Sequence, residues 1–202
     1  MPGYAWTVIT YLIGSIPAAL LAGRWLQGID LRDHGSGNLG ATNVYRTLGL
    51  EAAIVVFSFD LIKGALPVTL FPKWTTGTWP YWGMVYGVAA IVGHVRPIYL
   101  RGKGGGKGVA TASGVVLALT PSPMLLCTVL WVIVCWLTRY VSLASVSAAV
   151  ALPIAVAIWY GPSSPLVDAM LLVALLVIWT HRGNLRRLRE GVEPHIGGRR
   201  EA

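Results

Sequence analysis

Charge is what this 202-residue chain lacks. Only 12% of its residues are Asp, Glu, Lys or Arg, while 55% are hydrophobic. A soluble domain carries about 25% charged residues, so there are too few charges here to cover a surface in water. The shortfall excludes an ordinary cytosolic enzyme and a disordered segment alike. Acids are scarcer still, with eight Asp plus Glu against sixteen Lys plus Arg and a formal net charge of +8. In so apolar a chain, that excess points to membrane orientation and to anionic lipids or phosphates. It points only weakly to nucleic acid, and no nucleic-acid partner is expected. Cysteine is nearly absent. Cys127 and Cys135 share one apolar run with no His or Cys at metal spacing, and read as packing residues. No thiol therefore lies in a polar segment where a covalent intermediate could form. The first apolar run lacks the basic region and small-residue cleavage site of a signal peptide. There is no repeat, linker or low-complexity segment, and 1–202 reads as a single integral membrane domain.

What the chain has is long apolar runs. A run of about 17–25 residues reads as a spanning helix, and such runs lie near Tyr4–Leu26, Glu51–Phe71, Tyr81–Leu100, Leu143–Tyr160 and Leu166–Thr180. Between Val109 and Leu137 an apolar stretch is broken by Thr120-Pro121-Ser122-Pro123. Two prolines so close together stop a helix, so two shorter helices are expected, Val109–Leu119 and Met124–Leu137. At about 1.5 Å per residue the first spans only about 17 Å, so it must run on into the Gly-rich segment before it or be shielded by protein. Charge sets the parity. With seven crossings and the N-terminus outside, fourteen of the sixteen basic residues fall inside; Lys73 alone lies outside and Lys63 lies within a helix. A single crossing at the Pro-broken region would put Arg139 and the Arg-rich tail outside, against the positive-inside rule. Tyr4, Trp6, Trp74, Trp79, Tyr81, Trp82, Trp159 and Tyr160 cluster at run ends, as interfacial belts do. The expected fold is an all-α membrane protein of seven transmembrane helices, two of them short, with polar Gly-rich loops on the cytoplasmic face.

Four polar segments then share that face: Arg32–Asn43 with Arg46; Gly93–Pro97 running into Lys103–Thr111; Thr138–Ser145; and His181–Asn184 with Arg186, Arg187 and Arg189. They are rich in Gly, hydroxyls, amides and cations. Gly-rich backbone can turn several N–H groups toward one anion, and the helix opening at Val109 adds its positive end. Bland readings stand beside these. A Gly-rich loop is often only a turn, an Arg-rich tail can simply face the anionic inner leaflet, and His94 and His181 can be interfacial hydrogen-bonders. The Lys103–Lys107 run is not a Walker A loop, since Gly108 follows Lys107 and Arg101 stands six places before it. Asp60 and Lys63 sit three apart inside an apolar run, so they either pair or join a buried functional network. No histidine has an aspartate five residues on, and no acidic cluster offers a metal site.

These segments resemble the bacterial membrane-integral glycerol-3-phosphate acyltransferases that use acyl phosphate as donor. The matching stretches are Ser36–Arg46 (SGNLGATNVYR), Phe59–Pro67 (FDLIKGALP), Gly93–Pro97 (GHxxP), Gly105–Thr111 (GGKGVAT), Thr138–Ser145 (TRYVSLAS) and His181–Leu188 (HRxNxxRL), in order and across nearly the whole chain. The loop Lys103-Gly104-Gly105-Gly106-Lys107 is one glycine longer than is usual there, and Arg96 stands where an apolar residue is commoner. The resemblance implies a seven-helix enzyme of the bacterial inner membrane. Its active site would face the cytoplasm, with the N-terminus outside and the C-terminus inside. It would acylate the 1-hydroxyl of sn-glycerol 3-phosphate, giving lysophosphatidic acid and phosphate in the first step of phospholipid synthesis. No cofactor or metal is implied, the partners beyond the two substrates are membrane lipids, and the monomer suffices.

By the same resemblance, Ser36, Lys107 and His181 are the candidate catalytic residues. Ser36, Asn38, Arg46, His181 and Asn184 would hold glycerol 3-phosphate. Thr42, Asn43, Lys103, Gly104, Gly105, Gly106, Lys107, Gly108 and Ser142 would hold the acyl phosphate. An acyl phosphate is already activated, so direct attack by the 1-hydroxyl needs orientation and oxyanion stabilisation rather than a Cys nucleophile. The base is either His181 or a phosphate oxygen of a substrate. Two other readings use the same residues: an anion or phosphate transporter, and a non-catalytic lipid-binding protein. The first lacks matched broken helices in two halves, and the second leaves the Gly-Lys loop without a purpose.

Overall fold

The computed structural model describes residues 1–76 and 81–196, so Trp79 and the tail arginines Arg199 and Arg200 lie outside the described residues. Every regular element among the described residues is helical. The chain divides into two compact units, Met1–Leu119 and Thr120–Ala202.

In the first unit, α1 (Gly3–Gly14) and α2 (Ala18–Gln27) make up the first apolar run, broken at Ser15–Pro17. Pro17 has no N–H to give, and the Ser15 hydroxyl turns back to the Tyr11 carbonyl at 2.8 Å. A short helix, α3 (Ala41–Leu48), follows the first polar segment, and α4 (Leu50–Leu70), α5 (Tyr81–Val95) and α6 (Val109–Leu119) complete the unit. Here α1 packs on α5, and α4 packs on α3, α5 and most extensively on α6. Small residues permit that last contact: a Cβ at Gly64 would overlap the Thr111 carbonyl oxygen, and one at Gly114 the Leu61 carbonyl oxygen. Six of the residues of α6, from Thr111 to Leu119, are buried. The short helix is thus shielded by protein, which resolves the sequence expectation. A buried cluster of Ala19, Leu20, Leu31, Leu39, Val44, Ala53 and Val56 seats the first polar segment on α2, α3 and α4.

In the second unit, α7 (Pro121–Thr138), α8 (Val141–Tyr160) and α9 (Pro165–Thr180) pack in sequence, and α10 (Arg182–Arg189) lies against α8 and α9. Helix α7 begins three residues before the expected Met124. A proline in the first turn forgoes only an N–H that has no helical partner there, so the Pro121–Pro123 pair starts a helix as readily as it stops one. Large apolar side chains stand out on this unit, with Trp136 79% and Leu175 64% exposed. In a membrane such positions meet lipid, which costs them nothing.

Among the described residues five stretches are long and apolar enough to cross a membrane: Gly3–Gln27, Leu50–Trp74, Tyr81–Leu100, Pro121–Thr138 and Val141–Tyr160. The pair α9 and α10, bent by 54°, makes a sixth if counted as one span. The expected seventh rests on α6, which has 11 residues.

Candidate active site

The first unit carries the first two polar segments, and each is held by local chemistry. Asp30 starts a one-turn 3-10 helix, accepting from the Arg32 amide at 3.0 Å and from its guanidinium at 2.9 and 2.6 Å. The Arg32 hydrogen bond outweighs desolvation and, with the nearby Arg24 charge, holds the Asp30 carboxyl well below the usual range. Asn43 is buried at the start of α3. Its amide nitrogen donates to the carbonyls of Leu31 (3.2 Å) and His34 (3.0 Å), and its oxygen accepts from the Ser36 amide at 2.8 Å. Asn43 thus spends its side chain on the Leu31–Ser36 backbone, leaving Ser36 exposed and Asn38, Thr42 and Arg46 half-buried.

The Gly-Lys loop lies against that segment. Gly104 has a φ of +68°, and a Cβ there would come within 3.2 Å of Arg32 Cδ. A Cβ at Gly105 would overlap the carbonyl oxygens of His94 and Val95. One at Gly106 would overlap His94 Nε2 and lie 2.7 Å from the Leu39 carbonyl oxygen. These two glycines are required by the close approach of backbone to protein, and a Gly105 side chain would shift the loop rather than obstruct a ligand. The packing brings Gly104–Gly106 alongside Arg32 and Leu39. Lys103 is exposed, Lys107 is half-buried, and Gly108 is buried with φ +81° at the start of α6.

The second unit gathers the third and fourth polar segments around a residue the sequence did not single out. Glu193 is buried, and its Oε1 accepts from the Ser142 hydroxyl at 2.7 Å and from the Asn184 amide at 2.6 Å. Its Oε2 accepts from Arg187 Nε at 2.8 Å. Burial alone would raise its pKa, but the hydrogen bonds from Asn184, Ser142 and Arg187 outweigh it and hold the carboxyl below the usual glutamate range. The tail around it is tied down again where the Ile196 amide donates to the Arg139 carbonyl at 2.9 Å, and where His195 stacks on Tyr140. Glu193 thus joins Ser142 and Asn184, which the sequence reading assigned to different substrates. Nothing in the local pattern marks it, because its partner Ser142 is 51 residues away. His181 is buried at the α9–α10 bend, with Nδ1 2.8 Å from the Val177 carbonyl oxygen. That oxygen can only accept, so in the neutral ring the proton sits on Nδ1 and the basic lone pair on Nε2. Among the described residues no group of three or more His, Cys, Asp or Glu could hold a metal ion.

Fold and segments together define an all-helical integral membrane protein whose polar loops are built from glycine, amides, hydroxyls and arginine. The sequence profile of the glycerol-3-phosphate acyltransferase family matches residues 4–191, and the chain belongs to that family. It is 47% identical over 189 residues to a glycerol-3-phosphate acyltransferase of Parasynechococcus marenigrum (strain WH8102), covering 94% of this chain and 87% of the relative. It is 46% identical over 188 residues to that of Geobacter sulfurreducens, covering 93% and 94%. Among solved structures it is similar to PlsY (YgiH), an integral membrane glycerol 3-phosphate acyltransferase. The glycerol 3-phosphate form matches with a TM-score of 0.87 at 36% identity, over 96% of each chain. The lysophosphatidic acid form matches at 0.86 and 35%, over 96% of this chain and 94% of that one.

Proposed function

We propose that the chain transfers a fatty acyl group from acyl phosphate to the 1-hydroxyl of sn-glycerol 3-phosphate, giving lysophosphatidic acid and inorganic phosphate. The observation that carries this reading is the family membership of a chain whose Gly-Lys loop packs against the Ser36–Asn43 segment. Both substrates bear phosphate, and these segments offer backbone N–H groups, Lys103, Lys107 and Arg46 to it. A transporter uses similar binders, but the family and the solved relatives are acyltransferases.

The reaction needs no acyl-enzyme. The 1-hydroxyl oxygen attacks the acyl carbonyl carbon, the carbon–oxygen bond to phosphate breaks, and phosphate leaves with the electron pair. Lys107 and the Gly104–Gly108 backbone neutralise the departing phosphate, Lys103, Thr42 and Ser142 bind the acyl phosphate, and Asn43 acts through the loop it holds. Arg46, Ser36, Asn38, His181 and Asn184 hold glycerol 3-phosphate, so that the attack starts from an oriented pair. The hydroxyl proton passes to a phosphate oxygen of a substrate, and His181 binds; the competing assignment places the proton on His181 Nε2. Residues 1–202 act as one functional domain, monomeric in the bacterial cytoplasmic membrane, with seven crossings, the N-terminus outside and the site facing the cytoplasm.

Purified protein given labelled glycerol 3-phosphate tests the donor. Palmitoyl phosphate should yield labelled lysophosphatidic acid, and palmitoyl-CoA should not. Equal use of palmitoyl-CoA would refute the acyl phosphate assignment.

A further inference from the structure

Beneath the Gly-Lys loop lies a buried polar network that the reaction as described does not use. Lys63 Nζ lies 2.7 Å from Asp60 Oδ1, and both side chains are 97% or more buried. His94 Nδ1 reaches the same oxygen at 3.5 Å. Each outer member ends on backbone belonging to a different segment. Lys63 Nζ donates to the Ile16 carbonyl at 2.9 Å, in the break between α1 and α2. The His94 ring lies against Gly106, where any Cβ would overlap Nε2. The Ile16 break, His94, Gly105 and Gly106 line one small cavity, with Leu39 of the first polar segment on its wall.

We propose that Asp60, Lys63 and His94 form a positioning device that sets the place of the Gly105–Gly106 backbone against the Ile16 break and Leu39. The inference rests on the reading of Gly104–Gly108 as part of the substrate site. Three physical points carry it. Ionic groups at this depth are costly, and apolar residues of the same volume would pack α4 on α5 at least as well. Packing alone therefore does not account for them. The network also has directed ends: a lysine reaching the Ile16 carbonyl in a helix break, where the Ala18 amide also donates at 3.1 Å, and an imidazole fitted to a glycine that tolerates no side chain. Finally, one carboxylate oxygen faces both arms, 2.7 Å from Lys63 Nζ and 3.5 Å from His94 Nδ1, so a shift of the break or of the loop changes the electrostatics of the other. Asp60 is thus the joint, Lys63 the arm to the break and His94 the arm to the loop. None of the three needs to touch substrate.

The test is a kinetic signature. In Asp60→Leu/Lys63→Met both charges leave together, so no buried charge is stranded. In His94→Asn an amide still reaches Asp60 while the ring against Gly106 is lost. Each variant is assayed in purified full-length protein for kcat and KM with palmitoyl phosphate and with glycerol 3-phosphate. Each is also melted in detergent, and Gly105→Ala is the reference. The expected result is a melting temperature near wild type with a ~10–100-fold lower kcat/KM, the scale of a small misplacement of reacting groups. The loss should fall on the same substrate that Gly105→Ala affects. If that substrate is glycerol 3-phosphate, the positioning role stands and the donor assignment of the loop falls. If the double variant does not fold, His94→Asn decides. Wild-type constants in His94→Asn, or equal losses toward both substrates where Gly105→Ala is selective, would overturn the proposal.

Discussion

Removing the Glu193 carboxylate should cost more stability than any other single change to the second unit's polar segments. In Glu193→Ala, the Ser142 hydroxyl and the Asn184 amide lose a buried charged acceptor at 2.7 and 2.6 Å. Hydrogen bonds to a charged group contribute about 1.5–3 kcal/mol each, so these two account for roughly 3–6 kcal/mol. The Arg187 pair adds little, because its guanidinium side is 37% exposed and screened by solvent. For a chain of this length, where each kcal/mol moves Tm by about 2–4 °C, a loss of that size lowers Tm by roughly 6–24 °C. Glu193→Gln keeps one acceptor oxygen and should fall between wild type and Glu193→Ala. The pH dependence follows from the direction of the shift. The folded carboxyl is held below the usual glutamate range, so its contribution is complete above that range and is lost as pH falls through the lowered value. Tryptophan-fluorescence melting in detergent, with lysophosphatidic acid formation measured on the same samples, reads both effects. A Glu193→Ala protein that melts within a degree or two of wild type and turns over normally would refute the reasoning.

Arg46→Lys keeps the charge but loses the planar fork of donors, so it should raise the KM for glycerol 3-phosphate by roughly tenfold or more; unchanged kinetics would remove Arg46 from the site. Lys107→Ala should lower kcat far more than it raises the KM for palmitoyl phosphate, since its charge is needed most as phosphate departs; a pure KM effect would contradict that role. Activity should survive EDTA in full, because the polar segments offer cations and amides where a divalent ion needs carboxylates; loss restored by magnesium would show otherwise. Single cysteines at Pro2 and His195, in a protein whose native cysteines are replaced, should label from opposite faces of sealed vesicles; labelling from one face would sink the seven-crossing topology.

Much of this protein is legible from its sequence because apolar length and glycine have few alternative meanings. Val109–Leu119 is a helix with the expected bounds, and the Tyr81–Leu100 run starts as one at Tyr81 but ends at Val95, before Pro97. The spacing of Asp60 and Lys63 allows either a pair or a buried network, and the structure has both, with Lys63 2.7 Å and His94 3.5 Å from one Asp60 oxygen. What stayed hidden depends on contacts between distant segments or on short polar helices. Helices α3 and α10 have eight residues each and carry no apolar run. The break at Ser15–Pro17 is masked by continuous hydropathy around it, and is stabilised by Lys63, 47 residues on. Asn43 looks like a ligand group in sequence, yet its amide is committed to Leu31, His34 and Ser36. Glu193 looks like one acid in an arginine-rich tail, and only the fold places it between Ser142, Asn184 and Arg187.

The most direct test of direct acyl transfer is phosphate release from palmitoyl phosphate by purified protein, followed in time with glycerol 3-phosphate added last. Before the addition no phosphate should appear; afterwards phosphate and lysophosphatidic acid should rise together, one for one. A burst of phosphate before glycerol 3-phosphate is present would reveal an acyl-enzyme, and lysophosphatidic acid formed without phosphate would mean a different donor; either contradicts the account.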